Sequence, residues 1–212
     1  MNSPTADDTN PERAHWNARY SEKEFLWTVT PNRFLVEETR DLTPGRALDL
    51  AVGEGRNAVW LADQGWHVLA VDFSDVAIEK ARRLAEHCHV ADRIEFEVAD
   101  LRSYTPPAAS FDLVVLLYLH LPAAEMEQII SHAAKAVAPG GTFLLVGHDA
   151  SNPLHGHGGP QNPAVLYSPE WVAAVLASHL EVEKAVVVER QVETPEGART
   201  ARDCLVRALR PS

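Results

Sequence analysis

Cysteine is scarce in this 212-residue chain: Cys88 and Cys204 stand alone, far apart and without CxxC spacing. That pattern excludes a disulfide framework and a thiolate zinc site, and two buried, reduced thiols are expected. Positive charge is also short. Lys and Arg number 19 against 30 Asp and Glu, for a formal net charge of −11. Nucleic-acid binding draws most of its affinity from basic surface, so no nucleic-acid partner is expected. No apolar run approaches the ~20 residues needed to span a bilayer. The polar start Met1-Asn2-Ser3-Pro4-Thr5-Ala6-Asp7-Asp8 lacks both a basic and an apolar targeting region. A small molecule is therefore the expected partner, the membrane is not, and a cytoplasmic setting follows.

The most informative stretch is Ala47-Leu48-Asp49-Leu50-Ala51-Val52-Gly53-Glu54-Gly55-Arg56-Asn57. An apolar strand carrying one carboxylate runs into a glycine-bearing loop and a helix start, which brings backbone groups against a nucleotide-like ligand. Val68-Leu69-Ala70-Val71-Asp72 is a second apolar run ending in an acid, about 20 residues on, the offset at which a carboxylate meets ribose hydroxyls. A third run, Ile94 to Val98, leads to Asp100, and a fourth spans Phe111 to Leu117. Acids at successive strand ends suit a ligand with ribose hydroxyls and an exocyclic amine, because ionised carboxylates only accept hydrogen bonds.

The chain alternates beyond that point. Strands at 47–52, 67–72, 94–98, 111–117 and 142–147 interleave with helices near 55–64, 75–87 and 123–137, the rhythm of a doubly wound parallel sheet. Pro139-Gly140-Gly141 reads as a helix-to-strand break. After a short helix at about 169–178, the strand-like runs Glu181–Val192 and Thr200–Leu209 flank Thr194-Pro195-Glu196-Gly197, so an antiparallel hairpin closes a seven-stranded α/β sheet. Residues 1 to about 12 read as disordered. Next come the aromatics Trp16, Tyr20, Phe25 and Trp27, and a helix opening at Pro31 and running through Arg40.

Parallel strands with acids after the first three and a terminal hairpin resemble the class I S-adenosylmethionine-dependent methyltransferase fold, over roughly residues 14 to 209. Leu48-Asp49-Leu50-Ala51-Val52-Gly53-Glu54-Gly55-Arg56-Asn57, with Trp16-x-x-Arg19-Tyr20 and Pro31-Asn32, is similar to the tellurite-resistance and thiopurine methyltransferase-like branch. The resemblance implies one methyltransferase domain over 1–212, with 13–42 as a cap over the site and S-adenosylmethionine as cofactor. It implies that Asp49 and the Ala51, Gly53 and Gly55 loop, with Asn57, hold the methionine end and ribose side. Asp72 then accepts from both ribose hydroxyls, Phe73 packs on the adenine, Asp100 accepts from its amine, and the Leu101 amide addresses a ring nitrogen. Leu117 and Tyr118 border the sulfonium, which Trp16 and Trp27 face. The branch usually has glycine where this chain has Ala51, and an alanine there calls for a negative φ.

The rival with the same sheet is a nicotinamide-dependent oxidoreductase, whose phosphate loop wants a third glycine that Glu54-Gly55-Arg56-Asn57-Ala58-Val59 lacks. A non-catalytic protein that binds the same cofactor is the other alternative. On the acceptor side, His120 follows strand four and His148-Asp149 follows strand five, at the edge where α/β sheets place their ligands. His148 is the candidate general base, with Tyr118, His120, Asp149 and Tyr167 facing the substrate. The Gly/Pro-rich stretch from Asn152 to Pro163 reads as a lid, and the spacing of His155 and His157 does not suggest a metal.

Overall fold

A computed structural model of the protein describes residues 10–26 and 28–212. The elements run α1 (Pro11–Ser21), α2 (Arg33–Thr39), β1 (Arg46–Leu50), α3 (Arg56–Asp63), β2 (His67–Asp72), α4 (Asp75–His87), β3 (Ile94–Val98) and β4 (Phe111–Leu117). They continue with α5 (Ala123–Ala136), β5 (Val137–His148), α6 (Asn152–His155), α7 (Pro169–Leu176), β6 (Glu181–Thr194) and β7 (Gly197–Leu209). The seven strands form one sheet in the order β3-β2-β1-β4-β5-β7-β6. The first five strands pair in parallel, and β7 pairs antiparallel with both β5 and β6.

The central strands are apolar throughout because helices cover both faces. Alternation along each strand divides the core. Leu48, Val114, Leu116, Phe143 and Leu145 pack with Met126 and Ile130 of α5 and Val172 and Leu176 of α7. Ala47, Leu113, Val115, Leu144 and Val146 face the other way, against Phe34 and Leu35 of α2, Leu61 of α3 and Ile78 of α4. Loops between strands and helices therefore meet at the carboxyl edge of the parallel strands.

Several boundaries differ from expectation for local reasons. α2 begins at Arg33 because the Asn32 side chain accepts the Phe34 and Leu35 N–H groups, leaving Pro31 outside. β5 starts at Val137. Phe111 pairs with Val137 and Leu113 with Thr142, so the Pro139-Gly140-Gly141 segment bulges within the strand instead of preceding it. The hairpin is longer than expected, since Thr194 pairs with Gly197 around a two-residue turn. Residues 10–12 are ordered: the Asn10 side chain accepts the Glu12 and Arg13 N–H groups and Pro11 opens α1. The rest of the segment expected to be disordered, residues 1–9, and Trp27 lie outside the described residues. No helix among the described residues is long and apolar enough to cross a membrane.

Candidate active site

β1 ends at Leu50 because Ala51 turns the chain with φ +58°, so the alanine occupies the left-handed region that glycine prefers instead of the negative φ expected of it. The Asp72 carboxylate at the end of β2 fixes this loop. Its Oδ2 accepts the Gly53 N–H at 2.8 Å and its Oδ1 accepts the Ser74 N–H at 2.9 Å, which leaves a lone pair on each oxygen for a ligand. Burial raises the Asp72 pKa, and these N–H bonds work against that rise. Asp100 accepts the Arg102 N–H at 3.0 Å and pairs with its guanidinium at 3.2 Å. Ala51, Gly53, Asn57, Asp72, Phe73, Asp100, Leu101 and Leu117 all line one cavity of about 1060 Å³.

Asp49 and Gly55 stand behind that lining. Asp49 is 1% exposed, and its Oδ2 has no hydrogen-bond partner. Burial, then the neighbouring Asp72 charge, pushes its pKa up to about 8, with Arg56 offsetting part of the rise. Gly55 has φ +85°, and a Cβ there would lie 2.7 Å from that of Ala81, so glycine is what lets α3 pack on α4. Asn57 also docks the start of α2, because its Oδ1 accepts the Asn32 N–H at 2.9 Å.

The segment before β1 forms the opposite wall, with Trp16, Arg19, Tyr20 and Phe25 on the cavity. Buried Glu54 accepts the Leu26 N–H at 2.9 Å and pairs with Lys80 at 3.1 Å, while Lys80 also donates to the Tyr20 carbonyl. Asn17 donates to Asp75 at 2.7 Å, and Arg102 pairs with Glu12.

At the other end of the cavity stand Tyr118, His120, His148 and Arg190. Cross-strand register makes His148 of β5 and Asp203 of β7 direct neighbours. Asp203 is 0% exposed. Its Oδ2 accepts from Tyr118 Oη at 2.7 Å and from Arg190 Nε at 2.8 Å. Its Oδ1 lies 3.2 Å from His148 Nδ1, close enough for ionic attraction but misaligned for a hydrogen bond. Burial alone would raise the Asp203 carboxyl, but His148, Arg190 and Tyr118 together outweigh burial and hold it below the ordinary carboxylate range. The Tyr118 hydroxyl is pushed up by burial and then by the Asp203 charge, so it stays protonated as a donor.

His120 is stacked between His148 and Tyr167, at ring separations of 5.3 and 5.4 Å. Its Nε2 accepts the His148 N–H at 3.3 Å, so its Nδ1 is assigned the proton and faces the Val165 carbonyl. Burial, then the His148 charge, lowers its pKa to about 4. His120 is thus a neutral positioning group.

Two expected substrate residues do not reach the cavity. The Asp149 carboxylate accepts the Ser151 N–H at 2.9 Å, and the buried Tyr167 hydroxyl donates to the Leu119 carbonyl at 3.0 Å. Both support the loops around the site. That loop does approach it: Gly159 lines the cavity, and a Cβ on it would lie 2.6 Å from the His148 ring. Sequence reasoning missed Arg56, Arg190 and Asp203. The available signal was an acid inside the apolar run Ala201 to Leu209, which gains meaning once β7 is paired with β5.

Comparison with known proteins fits this geometry. The family described as "Methyltransferase domain" matches residues 47–141, the span from β1 through α5 that carries the three acids. The likeness over residues 47–141 is to a methyltransferase domain. The chain is 32% identical to a demethylmenaquinone methyltransferase of Clavibacter sepedonicus over 57% of its own length and 46% of that protein's. It spans about half or less of the curated methyltransferases it matches. Among solved structures, the N-methyltransferase NodS of Bradyrhizobium japonicum in complex with S-adenosyl-L-homocysteine shares the fold at a TM-score of 0.73 and 17% identity, covering 96% of this chain and 100% of that one. A structure described as "Conversion of a Disulfide Bond into a Thioacetal Group during Echinomycin Biosynthesis" reaches 0.75 at 22% identity, covering 94% and 92%. The methyltransferase family is S-adenosylmethionine-dependent.

Proposed function

We propose that the protein transfers the methyl group of S-adenosylmethionine to a small-molecule acceptor at a sulfur, selenium, tellurium, oxygen or nitrogen atom, in the detoxification style of the tellurite-resistance and thiopurine branch. One observation carries the reading. A single cavity of about 1060 Å³ runs from the acids Asp72 and Asp100 to the Tyr118, His148 and Arg190 cluster. That lies at the upper end of the roughly 300–1,000 Å³ of a typical ligand pocket, so it has room for a donor and an acceptor side by side, space that a binding-only protein does not need.

The chain's groups fit the donor. Asp72 and Asp100 keep free lone pairs for hydroxyls and an amine, and the buried Asp49 carboxyl, whose Oδ2 lacks a partner, would give up its proton once a cationic ammonium lay beside it. The aromatic rings of Trp16, Phe73 and Tyr118 border the cavity and attract a cation. The bound donor supplies an electrophilic methyl carbon: the acceptor's electron pair forms the new bond to carbon while the carbon–sulfur pair withdraws onto sulfur.

The protein's own work is alignment, exclusion of water and proton handling. α1 and the Gly159 loop close two sides of the cavity. His148, steadied by Asp203, receives the proton of a neutral acceptor, and an acceptor that is already an anion needs positioning alone. The test is a methyl-transfer screen against small thiols, phenols, N-heterocycles and chalcogen oxyanions, read as S-adenosylhomocysteine released, beside calorimetry of that product. Turnover of one class with donor binding supports the reading. Tight donor binding with no turnover across the panel would favour the binding-only alternative.

A further inference from the structure

We propose that the acceptor of this methyltransferase is a small organic monoanion of the carboxylate type, and that Arg56 and Arg190 form its anion receptor. The inference rests on the methyl-transfer reading and deepens it. Arg56 opens α3 and lines the cavity, yet it makes no hydrogen bond or ion pair to any described residue. Its acidic neighbours are Asp49 and Glu54, and neither neutralises it. Glu54 is taken by Lys80 and the Leu26 N–H, and Asp49 holds a proton up to about pH 8.

Arg190 reaches the same wall from β6. Its Nε is committed to Asp203 and Tyr118, while no hydrogen bond from the described residues engages its two terminal nitrogens. The two guanidiniums are near enough to repel. Burial lowers the Arg56 pKa, and the Arg190 charge adds to the lowering. Two cations facing one partly desolvated space, with one of them unpaired, are relieved by an anion, and the planar guanidinium fork matches a carboxylate.

The carboxylates nearest this pair are already engaged, Glu54 by Lys80 and the Leu26 N–H and Asp203 by Tyr118 and the Arg190 Nε. The cavity they line also holds the apolar side chains of Leu119, Leu121, Pro160 and Val165 and the rings of Tyr118 and His120. An anionic handle on an apolar or aromatic body therefore satisfies both chemistries, and an inorganic oxyanion would leave the apolar part empty. The donor also has a carboxylate, so the test must separate the two sources.

The experiment titrates matched pairs, aromatic and aliphatic monocarboxylates against their primary amides, into protein saturated with S-adenosylhomocysteine, by ligand-observed NMR. In the wild type the best acid should bind about tenfold or more tighter than its amide, the scale of a charge-assisted bidentate contact. Arg56→Gln should shrink that preference to about threefold or less while leaving S-adenosylhomocysteine affinity within about twofold; Arg56→Lys should retain part of it. Amides binding as well as acids, or no acid binding at all, overturns the proposal. So does a tenfold or greater loss of S-adenosylhomocysteine affinity in Arg56→Gln, which would assign the arginine to the donor's carboxylate. Failure of the wild type to bind S-adenosylhomocysteine would instead sink the methyl-transfer reading, and the acid preference can still be measured without it.

Discussion

At one end of the cavity, Asp72 and Asp100 stand at the tips of neighbouring parallel strands, each bonded to amides within two residues of it or in the adjacent loop. At the other end, Tyr118 follows β4 directly and His148, Arg190 and Asp203 come from β5, β6 and β7, and the Tyr118–Asp203 bond closes a separation of 85 residues. The acidic end is thus a local construction repeated along the sheet. The cationic and aromatic end exists only after the C-terminal hairpin has docked on β5. Damage to the first should tell mainly on ligand binding, with small effects on stability, whereas damage to the second should cost much stability as well as catalysis.

Asp203 is the sharpest test of that contrast. Asp203→Ala removes the buried acceptor that Arg190 and Tyr118 share and should cost up to about 3–5 kcal/mol of stability, the usual result of removing one partner of a buried pair. Urea midpoints measure it, and a loss below 1 kcal/mol would mean the hairpin docks without this network. His148→Ala comes next. It should lower turnover of a neutral acceptor about 10²-fold while leaving S-adenosylhomocysteine affinity unchanged. An unaltered rate across pH would reduce His148 to scaffolding.

The same contrast explains what could be read from sequence. Parallel strands, their acids and the glycine loop are contiguous patterns, so the sheet and the residues Asp72, Phe73, Asp100 and Leu101 were legible and all reach one cavity. Arg190 and Asp203 sit in half-polar strands where charge usually marks a solvated face, and only the β5–β7 register turns Asp203 inward. Asp149 and Tyr167 misled for the converse reason. Each lies beside the site in the chain or sheet, but local bonds use up its polar atoms.

Two substitutions probe the acidic end. Asp72→Ala should weaken S-adenosylhomocysteine binding by about 1–3 kcal/mol through lost charge-assisted bonds, and calorimetry showing equal affinity would withdraw its assigned role. Asp49 gives a pH signature. Its folded pKa of about 8 lies above the ordinary carboxylate value, so the folded state holds a proton that the unfolded chain releases. That contribution is complete below about pH 4 and is lost as pH rises toward 8, at about 1.4 kcal/mol per pH unit between. Asp49→Asn, neutral at every pH, should flatten the slope between urea midpoints at pH 5 and pH 8. Parallel slopes in the two proteins would show that the carboxyl ionises freely.

Ala51 offers the smallest effect and the finest distinction between the two ends. A left-handed φ costs a non-glycine residue about 1–2 kcal/mol, and glycine would remove that strain at an entropic cost of roughly 0.5–1 kcal/mol. Ala51→Gly should therefore stabilise the protein by up to about 1 kcal/mol. Because the Asp72 bond to Gly53 already fixes the loop, donor affinity should hold steady. A stability gain paired with weaker S-adenosylhomocysteine binding would mean that the alanine holds the loop in its binding shape, and that the strain serves the site.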